Sequence, residues 1–141
     1  MSGAIGSVQL RKLPSFIGKR RKNAQIFKAL FKNEANIRTQ QETQISSWFG
    51  FSLILTNSLS GHRDRLVDIL IKNNIECRPI VAGNFTKNPV IKFLDYEICG
   101  DLAVSDEIHQ NGFFVGNDFR DLSNEINWLH GLIKVFEQNF L

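Results

Sequence analysis

Cysteine is scarce here: Cys77 and Cys99 are the two thiols in 141 residues. They are too few and too far apart for a disulfide framework, and neither sits in a C-x-x-C pair, so two reduced, mostly buried thiols are expected. The three histidines, His62, His109 and His130, are equally scattered. No spacing among them suits zinc, so no metal site is expected. No apolar run has the length needed to cross a bilayer. The longest, around Phe49 to Leu55, is interrupted by Gly50 and Ser52, and a membrane partner is not expected. The amino terminus lacks the apolar stretch of a secretory signal, which makes a cytoplasmic protein the default expectation.

Catalytic signatures are missing as well. Ser46, Ser47, Ser60 and Ser105 lack a G-x-S-x-G elbow, and neither cysteine stands in a nucleophile context. There is no G-x-x-x-x-G-K-S/T loop, and no G-x-G-x-x-G follows a strand. Gly112 and Gly116 flank aromatic residues and read as the ends of a tight strand.

What the chain does have is a globular balance, 43% hydrophobic against 22% charged, in a length that suits one domain. Charge is unevenly placed. Eight of the seventeen Lys and Arg residues precede Glu34, the first acid, so a basic amino-terminal segment joins a mildly acidic body. The cluster Lys19-Arg20-Arg21-Lys22 could belong to an unrelated basic module that meets nucleic acid. Four consecutive charges on a helix point in different directions, however, and no aromatic platform accompanies them. A solvated helix face is the simpler reading, and no nucleic-acid partner is expected.

The apolar spacing predicts a short helix over Ser2–Leu13 and a second that Pro14 opens and that runs to about Lys32. Residues 33–44 are polar and read as a connection. Trp48–Leu55 alternates, with Phe49, Phe51, Leu53 and Leu55 on one face of a strand. A helix follows over Arg63–Asn73, then a strand over Glu76–Ala82, where Pro79 argues for an edge. A loop, a short helix near Val90–Leu94 and a helix over Asp101–Gln110 lead to a strand at Phe113–Gly116. The last helix, Leu122–Leu141, has Ser123 as its expected N-cap and a stripe of Leu122, Ile126, Leu129, Ile133, Phe136 and Phe140. The fold class is α+β: a small, mostly antiparallel sheet of about three strands with helices packed on one side.

Two segments suggest contact chemistry, though each is also open to a structural reading. Arg78-Pro79-Ile80-Val81-Ala82-Gly83-Asn84 sets a guanidinium on a strand and an amide just beyond it. Arg can grip an anion by two prongs, and Asn can both donate and accept. Phe113-Phe114-Val115-Gly116-Asn117-Asp118 sets paired aromatics before a polar turn.

In this order the segments resemble the DegT/DnrJ/StrS family of fold-type-I aminotransferases. The opening Met1–Leu10 with Leu13-Pro14-Ser15-Phe16-Ile17 and Arg20–Ala24 is similar to the helix that leads out of that family's cofactor domain. Trp48-Phe49-Gly50-Phe51 resembles the start of its small-domain sheet. Gly100–Ala103, Asp106–His109 and Gly112–Asn117 resemble its late helix and strand. Arg78 through Asn84 with Thr86–Pro89 looks most like the branch of 4-keto-6-deoxysugar 3-dehydrases. Where similar proteins often carry a histidine after Gly116-Asn117, this chain has Asp118, so no ligand role carries over there.

The resemblance implies a carboxy-terminal small domain, residues 34–141, joined through a helical segment, residues 1–33, to a cofactor domain absent from this chain. The Schiff-base lysine, or the histidine of the dehydrases, would lie in that domain. No catalytic or cofactor-binding residue is expected here, and the chain alone should hold no pyridoxal or pyridoxamine phosphate. The complete enzyme would be a dimer acting on a nucleotide-linked 4-keto-6-deoxysugar in lipopolysaccharide or deoxysugar biosynthesis. Arg78 and Asn84 are the expected polar substrate contacts, with Phe113 and Phe114 lining the cleft or merely packing. A truncated reading frame or a subcloned domain is expected, as is a non-catalytic subunit that complements a separate cofactor domain in the alternative reading.

Overall fold

A computed structural model describes residues 2–139; Met1, Leu141 and the expected contribution of Phe140 to the last apolar stripe lie outside the described residues. In chain order the elements are α1 (Ser2–Phe31), β1 (Ile37–Thr39), β2 (Gly50–Leu55), α2 (Arg63–Lys72), β3 (Cys77–Arg78), α3 (Ala103–Asn111), β4 (Gly112–Gly116) and α4 (Ser123–Gln138). Short 3-10 turns occupy Asn57–Leu59, Phe85–Lys87 and Pro89–Phe93. The sheet runs β1-β2-β4-β3 and every pair is antiparallel, so the α+β expectation is met. It has four strands where about three were expected. β1 lies inside the polar stretch that read as a connection, since a three-residue strand with one buried apolar residue, Ile37, is too short to show alternation.

Period-two geometry separates the two faces of the sheet. Leu53 pairs with Phe113 and Phe51 with Val115, and all four are buried. Against that face lie Ala24, Phe27 and Phe31 of α1, Leu66 and Leu70 of α2, and Ile126, Leu129, Ile133 and Phe136 of α4. The Phe27 and Phe51 rings stack at 4.3 Å. Each such side chain contributes about 1.5–3 kcal/mol by leaving water. The opposite face carries Ser52, Phe114 and Arg78. There α3 covers one end, where Arg38 of β1 meets Glu107 at 2.9 Å. Helices thus cover one face through α1, α2 and α4, while α3 sits against the other.

Several boundaries differ from the sequence reading. The two expected amino-terminal helices are one, with Pro14 inside it. Pro14 cannot donate to the Leu10 carbonyl, but Leu10 is exposed, so water can serve that group. β2 begins at Gly50 because Trp48 has φ +53°, which breaks the alternation. Trp48 consequently turns into the core while Phe49 is 76% exposed, the reverse of the expected arrangement. β3 stops at Arg78, before Pro79, and it is an edge strand as Pro79 suggested. At α4 the capping group is not Ser123. Asp121 Oδ1 accepts from the Ser123 amide at 3.0 Å and from its hydroxyl. Of the two thiols, Cys99 is exposed, against expectation. Cys77 is half-buried, and its pKa is pushed up to about 11 by burial and by Glu76.

A polar network joins the amino-terminal helix to the sheet. Asn23, 1% exposed, donates to Asn117 Oδ1 at 3.0 Å and to the Asp118 and Arg120 carbonyls at 3.3 and 2.8 Å. Its own oxygen accepts from the Leu122 amide at 3.2 Å. Asn117 in turn donates to the carbonyls of Arg20 and Trp48 at 3.1 and 2.9 Å. Replacing Asn23 by Ala strands several buried groups, and a loss of about 2–3 kcal/mol is expected in urea unfolding. Asn23→Asp, which keeps the acceptor and loses the donors, should be similarly destabilised.

A second cluster ties the end of α1 to α4. Glu34 lies 2.7 Å from His130 Nε2 and 2.9 Å from Lys134 Nζ, which also reaches Glu137 at 2.5 Å. Burial alone would raise the Glu34 pKa, but hydrogen bonds from Lys134 and His130 outweigh it and hold the carboxyl below its ordinary value. Lys134 and Asn36 depress Glu137 in the same direction. Depressed carboxylates stabilise the fold above their unfolded pKa, and that stability is lost as pH falls through the folded value. The urea midpoint should therefore drop in acid, and Lys134→Met, which removes the main cause of the depression, should make that drop smaller.

Candidate functional site

The open face of the sheet is one wall of a cleft of about 580 Å³, lined by Phe49, Ser52, Arg78, Phe114 and the turn at Pro79, Ile80 and Val81. Antiparallel register builds it. Arg78 of β3 stands directly opposite Phe114 of β4, which places both side chains on the same face. Across β4, Phe114 pairs with Ser52 and Gly50 with Gly116. Gly50 is required by this packing: a Cβ there would stand 2.2 Å from Phe114 Cζ and 2.5 Å from the Val115 carbonyl oxygen. The Phe114 ring consequently lies over the Gly50 backbone and stacks on Phe49 with centroids 5.7 Å apart. The Arg20 guanidinium lies 5.6 Å from the Phe49 centroid, holding that exposed ring from behind.

The expected contact residues divide. Arg78 and Phe114 share the cleft. The Arg78 side chain is 71% exposed, and Glu76 Oε1 orients it through bonds of 2.8 Å to Nε and 2.6 Å to a terminal nitrogen. Phe113 does not line this cleft. It is 1% exposed, because neighbours on a strand face opposite ways and its turn falls on the core side. Of the two readings left open for Phe113, packing is the one the structure has. Asn84 is also buried, at 3%, with its amide group spent internally. Its Nδ2 donates to Asp106 at 2.6 Å, and its oxygen accepts from the Thr86 amide and hydroxyl at 3.0 and 2.7 Å. It caps the 3-10 turn at Phe85–Lys87 and does not line this cleft.

Phe49 is the cleft residue the sequence reading missed. The signal was the adjacent pair Trp48-Phe49, since two neighbouring aromatics at the mouth of a strand cannot share one face. Asp118 is occupied by Arg120, whose side chain donates to it at 2.6 Å and lowers its pKa. The basic cluster splays apart as expected for a helix. Arg21 donates to the Ser46 carbonyl at 2.9 Å, Arg20 to that of Trp48 at 3.0 Å, and Lys22 lies 3.8 Å from Asp121.

Neither lysine nor histidine lines the cleft. Its residues therefore supply neither the lysine nor the histidine that the resemblance sets beside pyridoxal phosphate. An aromatic platform opposite a guanidinium instead suits contact with a flat or apolar group that also bears an anion. Among the described residues, no group of three His, Cys, Asp or Glu could hold a metal ion, and no helix is long and apolar enough to cross a membrane.

Comparison with known proteins agrees with this architecture. The GDP-4-keto-6-deoxy-D-mannose 3-dehydratase of Yersinia pseudotuberculosis is 56% identical over 135 residues, covering 95% of this chain and 34% of the relative. The enzyme of the same description from Escherichia coli O55:H7 is 47% identical over 135 residues, covering 95% of this chain and 35% of its own length. A crystal structure of GDP-4-keto-6-deoxymannose-3-dehydratase with a trapped PLP-glutamate geminal diamine superposes with a TM-score of 0.87 at 47% identity, over 94% of this chain and 34% of that one. The chain thus spans about a third of the length of the curated relatives it matches, and both fall in the dehydrase branch that the sequence resembles. The pattern of the DegT/DnrJ/EryC1/StrS aminotransferase family matches residues 1–117. This chain belongs to that family.

Proposed function

We propose that this chain forms one wall of the substrate cleft in a pyridoxal-phosphate-dependent 3-dehydratase of a nucleotide-linked 4-keto-6-deoxysugar, working in lipopolysaccharide or deoxysugar biosynthesis. The observation that carries the reading is 56% identity to such a dehydratase along 135 residues. The cofactor supplies an electron sink for the reaction, and residues outside this chain hold it. Residues 1–33 lead from that cofactor domain into the small domain formed by residues 34–141.

Within the cleft, Arg78 grips an anionic group of the substrate while Glu76 keeps the guanidinium aimed. Phe49 and Phe114 offer a flat apolar surface to the rest of it and keep water from that side. Apolar side chains that stand in water here, Ile5 and Leu10 on α1 and Phe93 beyond the cleft, are covered by the cofactor domain and by the second subunit of a homodimer.

A hybrid enzyme tests this. The matching third of the Escherichia coli dehydratase is replaced by this chain, and turnover of GDP-4-keto-6-deoxymannose is followed. Turnover within about tenfold of the parent is expected. Arg78→Ala in the hybrid should raise KM about tenfold or more, a loss of about 1.4 kcal/mol, with kcat less affected. A hybrid that retains cofactor but shows no turnover would overturn the activity. An unchanged KM in the Arg78 variant would overturn the cleft assignment.

A further inference from the structure

The turn that closes the cleft, Pro79-Ile80-Val81, has no regular structure of its own beyond a Gly83 amide bond to the Ile80 carbonyl at 2.9 Å. Val81 even sits at φ +51°, a costly conformation for a β-branched residue. Something outside the turn must hold it, and that support is concentrated on one side chain of α3. The Asn84 backbone amide donates to His109 Nδ1 at 3.2 Å. Gly83, at φ +60°, runs so close to the ring that a Cβ would stand 2.4 Å from Nδ1. Ile80 reaches back to Gly112, where an added Cβ would meet its Cδ1 at 2.8 Å. Below the ring, Asn84 Nδ2 and Lys87 Nζ both bind Asp106 Oδ1, at 2.6 and 2.7 Å.

A backbone N–H pointing at Nδ1 requires that nitrogen to accept, so the imidazole is neutral with its proton on Nε2. We propose that His109 is a positioning residue for the cleft: its unprotonated Nδ1 is the latch that fixes the 79–83 turn opposite Phe114. This rests on the reading of that cleft as the substrate site, and it names the element by which the site's shape depends on pH. Protonation would set an Nδ1–H against the Asn84 N–H, releasing the turn. The latch is therefore closed while the ring is neutral and opens when it is protonated. The charged groups around His109 are Asp106 of its own helix, which interacts with it electrostatically, Lys87 of the 3-10 turn, which pairs with Asp106, and Arg63 of α2, which donates to the His109 carbonyl at 2.6 Å.

The test is nuclear magnetic resonance on the full chain labelled with nitrogen-15, with no substrate present. Long-range spectra at alkaline pH should show His109 as the Nε2–H tautomer. On acidification, the Asn84 amide should lose hydrogen-exchange protection about tenfold or more, with Ile80 and Val81 amides shifting along the same curve. Amides of Phe51 and Leu53 should not follow that curve. His109→Asn places an acceptor oxygen where Nδ1 stands, so it should keep Asn84 protected and abolish the pH dependence. His109→Leu should lose protection at every pH. An Nδ1–H tautomer, an Asn84 amide indifferent to His109 protonation, or a pH dependence that survives in His109→Asn would each overturn the proposal. These readings need no turnover, so their failure leaves the hybrid enzyme's activity untouched, and an inactive hybrid leaves them intact.

Discussion

Asn23 and Asn117 are buried amides on opposite sides of the molecule's main seam, and each satisfies backbone groups that would otherwise be stranded. Asn23 reaches from α1 to the turn after β4. Asn117 reaches from that turn back to the carbonyls of Arg20 and Trp48. A buried carbonyl without a donor costs about 1–3 kcal/mol, so the network sets where these three segments meet. Trp48 is held at φ +53° by its place in this arrangement, and its indole is tied to Glu42 at 3.0 Å. Glu42 is a strong acceptor: bonds from the Ser46 amide, Lys28 and Trp48 lower its pKa to about 2.

The positive φ at Trp48 decides which aromatic faces where. With Trp48 turned into the core, Phe49 falls outside and meets Phe114 over the Gly50 backbone. The core packing and the cleft are therefore two consequences of one backbone reversal. The core face is rigidly covered by three helices, and this gives the opposite face a firm floor from which Arg78 and Phe114 project. The other wall is an irregular turn fastened to α3 by single polar contacts. A site with one rigid wall and one latched wall can change shape on one side without disturbing its platform.

Much of this architecture was legible in the residues. The α4 stripe, the α2 helix, β2 from Phe51 to Leu55, and the edge position signalled by Pro79 all follow from local periodicity or from a missing N–H. Local rules failed where a long-range contact overrode them. β1 exists because Ile37 and Arg38 find partners in Leu55 and Ile54, which three residues alone cannot announce. Pro14 did not divide α1, because the turn that loses a hydrogen bond there stands in water. Asn84 looked like a ligand because an amide in a loop is chemically versatile. Its burial against Asp106 used that versatility for capping.

By itself, then, the amino-acid sequence determined the α+β class, the stripes of α2 and α4, and, through its resemblance, the family to which the chain belongs. These depend on side-chain period and order along the chain, which folding preserves. Only the tertiary structure decided that Phe113 belongs to the core and Phe49 to the cleft, that Asn84 is a cap, and that His109 supports the neighbouring turn. Each of those outcomes depends on which groups meet across distant segments. The free energy of a polar or aromatic side chain is set by that partner and not by its own identity.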